Sequence, residues 1–277
     1  MLKHTKGPSG PFLLNKYLMF TSYQLRQDWS QDLPKHWCDN NPFRTHFLNA
    51  MSAIFPEGEK FFIDSVKPFK DSITDPKLKA EIDEFIKQEN WHGYAHKQYN
   101  EWLENQSLPA DYAAQEHIQR LSWIKKHFSP EMCLAITVGL EHMTALTGGY
   151  NLRKRSFMKR MHPHFETLWR WHSVEEVEHK AVCFDLWRSI NGKESTRQRA
   201  MIFATMFYWW TVGKATVQFL HADRQLFKWS TLKDAWQFLF AKEGMVRENT
   251  QRYFDYFRKD FHPNDHDDSL LLRFRKT

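Results

Sequence analysis

The sequence predicts an all-α protein, and three observations carry that expectation. Glycine and proline number only 10 and 11 in 277 residues, and they fall mostly between stretches whose apolar residues recur at three and four. No alternating stretch is long enough to read as a strand. Two separate stretches place acids and histidines three and four residues apart. That spacing gathers them on one face when the backbone is helical.

Residues 1–42, with Pro8, Pro11, Pro34 and many aromatics, are expected to be irregular and to wrap the outside of the molecule. Asn41-Pro42 opens the first helix, because proline is tolerated in a first turn. Phe47, Leu48, Met51 and Ile54 follow with helical spacing. The stretch Phe55-Pro56-Glu57-Gly58-Glu59 is expected to interrupt this helix, which restarts and runs to Pro68. Asp75-Pro76 marks the next start, with a helix to about Glu104. A shorter helix follows from Asp111 to about His127. Ser129-Pro130-Glu131 opens another, expected to stop at Gly148-Gly149. A basic loop over 151–160 leads into a helix from Phe165 to Asn191, uninterrupted by glycine or proline and closed by Gly192. A strongly aromatic helix over 197–221 and two shorter ones, at about 231–241 and 245–260, complete the series. His262-Pro263 begins an acidic, irregular tail. The main helical bundle should span 43–190 with 197–260 packed on it, so that residues 1–277 form a single domain.

The 12 tryptophans and 23 phenylalanines supply apolar area for a sizeable core. Net charge is +6, but the basic residues are scattered, apart from Arg153-Lys154-Arg155 with Lys159-Arg160 and the tail residues Arg273, Arg275 and Lys276. That pattern reads as solvated surface and not as a nucleic-acid footprint. Cys38, Cys133 and Cys183 lie far apart without CxxC spacing, which excludes a zinc-thiolate framework and suits a reducing cytoplasm. The first residues show no signal-peptide pattern. The longest uncharged run, Ala200 to Gly213, is too short to span a bilayer as a helix.

The chemistry is concentrated around Trp171-His172-Ser173-Val174-Glu175-Glu176-Val177-Glu178-His179. At roughly 100° per residue, His172, Glu176 and His179 share one face, which Leu168, Trp169, Cys183 and Leu186 continue as apolar positions. A carboxylate and two imidazoles aimed into an apolar environment need compensation, and a metal ion is one way to supply it. A second copy of Glu-x-x-His occurs at Glu89 and His92, with His96 one turn further on. Glu-x-x-His pairs on facing helices, with one Glu from each of two other helices, are a recurrent di-metal ligand set. The lone acid in the apolar stretch Ala135–Leu140 and beyond is Glu141. Glu59, flanked by Phe55 and Phe62 on its face, is the candidate for the remaining helix, with Glu57 second. The predicted metal residues are therefore Glu59, Glu89, His92, His96, Glu141, His172, Glu176 and His179. His96 is open between ligand, hydrogen-bond partner of a ligand, and core histidine. His142 points about 100° away from Glu141. Asp185 is a candidate partner behind the ligands. Glu175 and Glu178 are expected to face solvent.

This ordering, with the extra His172 four residues before Glu176, resembles ferritin-like di-iron oxygenases of the para-aminobenzoate N-oxygenase type. The resemblance implies a ferritin-like four-helix bundle with additional C-terminal helices. His96 departs from that ligand set. Phe55-Pro56-Glu57-Gly58-Glu59, Gln88-Glu89-Asn90-Trp91-His92, the His172–His179 stretch and Phe261-His262-Pro263 also resemble the bacterial family labelled predicted metal-dependent hydrolases.

A mixture of carboxylates and imidazoles suits two iron ions, with manganese or zinc as alternatives. The first expectation is an O2-activating oxidase or oxygenase acting on a small organic molecule, with an unidentified electron donor and an apolar pocket walled by Trp91, Trp171 and the aromatics of 203–210. The alternatives are a two-metal hydrolase and a non-enzymatic metal-binding or membrane-surface protein, the latter using Ala200–Gly213 with Arg197, Arg199 and Lys214. No nucleic-acid partner is expected, and the sequence leaves a homodimer open.

Overall fold

A computed structural model describes residues 22–276. Ten α-helices and no strand occur among the described residues, as the composition and spacing predict. In chain order they are α1 (Pro42–Val66), α2 (Pro76–Asn105), α3 (Ala110–His127), α4 (Pro130–Arg153), α5 (Arg155–Met158), α6 (Pro163–His179), α7 (Val182–Ser189), α8 (Glu194–Ala222), α9 (Trp229–Phe240) and α10 (Met245–Asp255). The predicted starts hold because each has its cap. The side chains of Asn41, Asp75 and Ser129 accept from the backbone of Arg44, Lys77 and Met132, and a proline follows each cap.

The last helix ends at Asp255, short of the expected 260, and three other boundaries differ from expectation for reasons the packing shows. First, α1 runs straight through Pro56. Proline removes the N–H that would bond the carbonyl four residues earlier. That carbonyl, on Ser52, instead accepts from the Asn100 side chain of α2 at 3.0 Å. Second, α4 passes Gly148 and Gly149 without stopping. A Cβ on Gly148 would lie 3.0 Å from the Ser173 carbonyl oxygen and 3.2 Å from its Cα. The glycine lets α4 and α6 approach closely. Third, the long helix expected over 165–191 parts at Lys180–Ala181 into α6 and α7. There the Lys180 ammonium binds Asp268 at 2.7 Å and the His266 carbonyl at 2.6 Å. The basic loop of 151–160 also contains the short α5. The tail is less irregular than expected, with 3-10 turns at Pro263–Asp265 and Leu271–Lys276.

The four helices that carry the predicted metal residues pack on one another: α1 on α2 and α4, and α6 on α4 and α2. Helix α8 lies against α1 and α4, and α3 against α1. Of the expected wrap, residues 1–21 lie outside the described residues. Residues 22–41 have no regular element, and aromatic stacking ties them to the core. Trp29 stacks on Tyr99 of α2 at 5.0 Å, and Trp37 on Phe165 of α6 at 4.4 Å. No described helix is long and apolar enough to cross a membrane.

Candidate metal centre

Helix α1 presents Glu59, α2 presents Glu89, His92 and His96, α4 presents Glu141, and α6 presents His172, Glu176 and His179. None of the eight exceeds 4 % exposure. One donor atom each from Glu89, His92, Glu176 and His179 lie within 4.8 Å of one another, and so do one each from Glu59, His92 and His172. His179 Nε2 is 3.1 Å from Glu89 Oε1, and its Nδ1 is 3.0 Å from Glu141 Oε2. His172 Nε2 and His92 Nδ1 approach the same oxygen, Glu176 Oε1, at 3.2 and 3.6 Å. Two overlapping donor groups thus occupy the space between four helices. Glycine makes room here as well. A Cβ on Gly93 would sit 3.2 Å from Glu59 Oε2.

Whether these residues fit a metal is decided by their unmet hydrogen bonds. Both oxygens of Glu59, both of Glu89, Glu141 Oε1, Glu176 Oε2, His92 Nδ1 and His179 Nε2 are buried without a hydrogen-bond partner. The Glu89–His179 approach is close in distance but makes no hydrogen bond. Buried polar atoms are nearly always satisfied, and each exception needs a cause. Here the exceptions converge on one space and come from lone-pair donors, so the set fits cations.

The electrostatics agree. Burial, reinforced by Glu176 and Glu141, holds the Glu59 carboxyl well above the ordinary range. Burial and the neighbouring Glu141, Glu176 and Glu59 do the same to Glu89. Burial lifts Glu141 to about 7 against the pull of His179. Burial opposes ionisation of Glu176 too, but His179 and His172 outweigh it and hold that carboxyl below its usual range. Burial alone would lower His179, yet Glu141 and Glu176 raise it to about 9. Burial, then His172 and His179, push His92 well down. Glu59, Glu89 and Glu141 thus resist ionisation in one another's company, while Glu176 stays ionised only by holding a proton on His179, and bound cations would relieve that crowding of acids.

Behind these donors lies a supporting layer that the sequence reading misplaced. Glu175, expected to face solvent, is buried. It accepts from Trp171 Nε1 at 3.0 Å, and its other oxygen lies 3.1 Å from His92 Nε2. Burial raises its carboxyl to about 8. Glu178 is also largely covered, bonding Arg275 at 2.7 Å and Gln88 at 3.4 Å. Helix α6 has no fully solvated face, so alternation of acids along it carried no information about exposure. His96 stands behind His172, with Nε2 3.0 Å from His172 Nδ1 and Nδ1 2.9 Å from Ser52 Oγ. Asp185 is not part of this layer. It is partly exposed and pairs with His262 at 2.9 Å. His142 contacts the Arg252 carbonyl and joins neither donor group. Glu57 is half-buried and joins neither group.

A cavity of about 40 Å3 adjoins Glu59, His172 and Glu176. Its walls include Phe55, Phe62, Leu140 and Phe207. Of the aromatics expected as pocket walls, Phe207 and Tyr208 line it, whereas Trp210 is 66 % exposed and Trp171 supports Glu175 instead. His117 of α3, which no spacing argument singled out, also lines this cavity.

The fold and site define an all-α protein with a buried carboxylate–imidazole centre able to hold a metal pair. A family model described as predicted metal-dependent hydrolase matches residues 22–267, and the chain belongs to that family. No curated protein and no solved structure matches the chain.

Proposed function

We propose that this protein is a two-metal hydrolase whose ions are held by Glu59, Glu89, His92, Glu141, His172, Glu176 and His179. The observation that carries the reading is the convergence of unpartnered, buried carboxylate and imidazole atoms from four helices. The family description supports the hydrolytic direction. Metal ions bound there supply Lewis acidity and a water acidic enough to attack near neutral pH.

The chain's own residues do the rest. With the His92 Nε2 proton directed at Glu175, Nδ1 would be left as the lone pair facing the centre. Trp171 fixes Glu175 in turn. His96 fixes the ring of His172. Glu59 lines the cavity with both oxygens free, so it can hold an ion or take up the proton of the attacking water. The phenylalanine and leucine walls exclude bulk water and favour an apolar group on the substrate.

A second reading, an O2-dependent oxidase or oxygenase with two iron ions, is favoured by one feature. The Glu-x-x-His pairs of α2 and α6 face each other, with single acids from α1 and α4, an arrangement known from di-iron carboxylate proteins. One experiment separates the readings. Protein loaded anaerobically with zinc or manganese is assayed on p-nitrophenyl esters and bis-p-nitrophenyl phosphate, and ferrous-loaded protein is assayed for O2 uptake. Metal-dependent hydrolysis without oxygen supports the first reading. Rapid O2 uptake by the ferrous protein, with no hydrolysis above the metal-free level, overturns it in favour of the second.

A further inference from the structure

Helix α9 has two unlike faces. Thr231 and Phe238 are buried where it packs on α1 and α10. On the opposite face Trp229, Leu232, Trp236 and Phe240 recur at three and four residues, and they are 77, 49, 64 and 44 % exposed. Phe227, two residues before the helix, is 87 % exposed. Apolar side chains this large rarely cluster on a surface without a partner. Arg224, Lys228, Lys233 and Lys242 around them are exposed, and no ion pair engages them among the described residues. The one acid on the helix, Asp234, is half-buried. Helix α8 shows a second exposed stripe, Ile202, Met206, Trp210 and Val217, flanked by Arg199 and Lys214, but of these two cations Lys214 is already paired with Glu116, which leaves fewer free charges than beside α9.

We propose that the outer face of α9 docks this protein on an anionic lipid surface. Tryptophan is favoured at the headgroup level, where its ring is half in the apolar region and its N–H is wet. An amphipathic helix with aromatic and basic residues lies in that plane. Unpaired lysines and arginines add attraction to anionic headgroups. Charge argues against the other obvious occupant, a second copy of the chain. A two-fold contact through this face would bring together the unpaired Arg224, Lys228 and Lys233 of both copies, with no exposed acid on α9 to answer them. With no described helix long and apolar enough to span a bilayer, α9 docks without crossing.

The test is flotation of the full chain with two kinds of vesicle, pure phosphatidylcholine and phosphatidylcholine mixed with phosphatidylglycerol. The protein floats with the anionic vesicles, less so at high salt, and stays at the bottom with the neutral ones. Trp229→Ser with Trp236→Ser, and separately Lys228→Glu with Lys233→Glu, each lower the bound fraction by about tenfold or more. Because these side chains are exposed, the variants keep the wild-type thermal midpoint and metal content. Failure of the wild type to float with either vesicle overturns the proposal. So does a dimer by sedimentation that the tryptophan variant dissociates, which would make the face a self-interface.

Discussion

Two clusters in this molecule look alike by distance and differ in what they lack. The first is the centre formed by α1, α2, α4 and α6. The second joins His36 of the irregular N-terminal segment, His46 of α1 and Asp223 at the end of α8. Each brings at least three donors within 4.8 Å of one another. In the second cluster every donor is answered. Asp223 Oδ2 takes His36 Nε2 at 2.6 Å and His46 Nε2 at 3.0 Å, and Lys35 sits on the other oxygen. His46 Nδ1 accepts from the Asn49 side chain, whose orientation is fixed because its oxygen accepts from Trp37 and from the Tyr99 hydroxyl. That arrangement makes His46 Nε2 a donor, so its lone pair is not available to a metal, and a lysine already supplies the cation. In the first cluster the same residue types leave a group of buried oxygens and nitrogens unanswered. Proximity of donors is therefore weak evidence for a metal site, and unmet demand at the same place is strong evidence. The second cluster is structural, pinning the segment before α1 to the far end of α8.

The largest expected effect tests this contrast directly. Elemental analysis of metal-loaded protein should give two ions per chain, and His36→Ala should leave that unchanged. Glu89→Ala and Glu176→Ala should each lose metal. Ligand binding at a thousand times its dissociation constant stabilises by about 4 kcal/mol. In a chain of this size that is on the order of ten degrees in thermal midpoint between metal-free and metal-loaded samples. Glu89→Ala should abolish the difference. Metal loss in His36→Ala with retention in Glu89→Ala would reverse the comparison.

Next in size is the layer behind the donors. Glu175→Gln keeps the shape but weakens the hold on the His92 Nε2 proton. Metal affinity should fall by about 10–100-fold, with little change in the stability of the metal-free protein. Competition with a calibrated chelator measures it. Unaltered affinity would mean that Glu175 serves Trp171 and packing alone.

How far the sequence revealed all this depends on whether the determinant was local. Glu89, His92, His172, Glu176 and His179 were legible because helical periodicity alone puts them on two faces. Glu141 was legible because it is the only acid between Glu131 and Glu166, in an apolar helix, and Glu59 because phenylalanines flank it. Glu175 was not legible, since its role depends on His92 from another helix and on Trp171 reaching forward one turn. The continuity of α1 through Pro56 depends on Asn100, far along the chain, filling the vacated hydrogen bond. Gly148 reads as a stop until the backbone of Ser173 is seen beside it. The break after α6 has no glycine or proline to announce it, and its partner Asp268 lies in the tail. His117 sits on α3, which carries none of the spaced donors.

The third prediction concerns the satisfied cluster. Its neighbours hold the Asp223 carboxyl well below the usual range, against the effect of burial. The lower folded value means that the unfolded chain takes up a proton first as pH falls. The stabilisation is thus complete above the ordinary carboxylate range and is lost on the acid side. Asp223→Asn should cost about 1–2 kcal/mol near neutral pH, since Lys35 and His36 are partly solvated. The gap in thermal midpoint between wild type and variant should narrow below about pH 4. A gap that widens in acid would show that the histidines, not the carboxylate, carry the cluster. Metal content should stay at the wild-type level throughout.

The smallest effect is the most discriminating, because its sign is what matters. His117 is buried, and its Nδ1 has no hydrogen-bond partner. Burial, with a smaller contribution from Arg120, pushes its imidazole down to about 3, so the ring is neutral at any ordinary pH. It packs against Phe207 at 5.6 Å and lines the cavity that also touches Glu59, His172 and Glu176. An unanswered buried nitrogen that also lines a cavity is available to a molecule that enters it. His117 itself belongs to neither donor group, so the expected partner of its free nitrogen is a hydrogen-bonding atom of the substrate and not an ion. Replacing it with an apolar residue of similar size removes an unsatisfied group. His117→Phe should therefore leave stability unchanged or raise it by up to about 1 kcal/mol. Metal stoichiometry should be that of the wild type, while turnover of any substrate the protein is found to accept should fall, and His117→Gln should restore part of it. A thermal midpoint that drops by several degrees in both variants would instead make His117 a packing residue of α3.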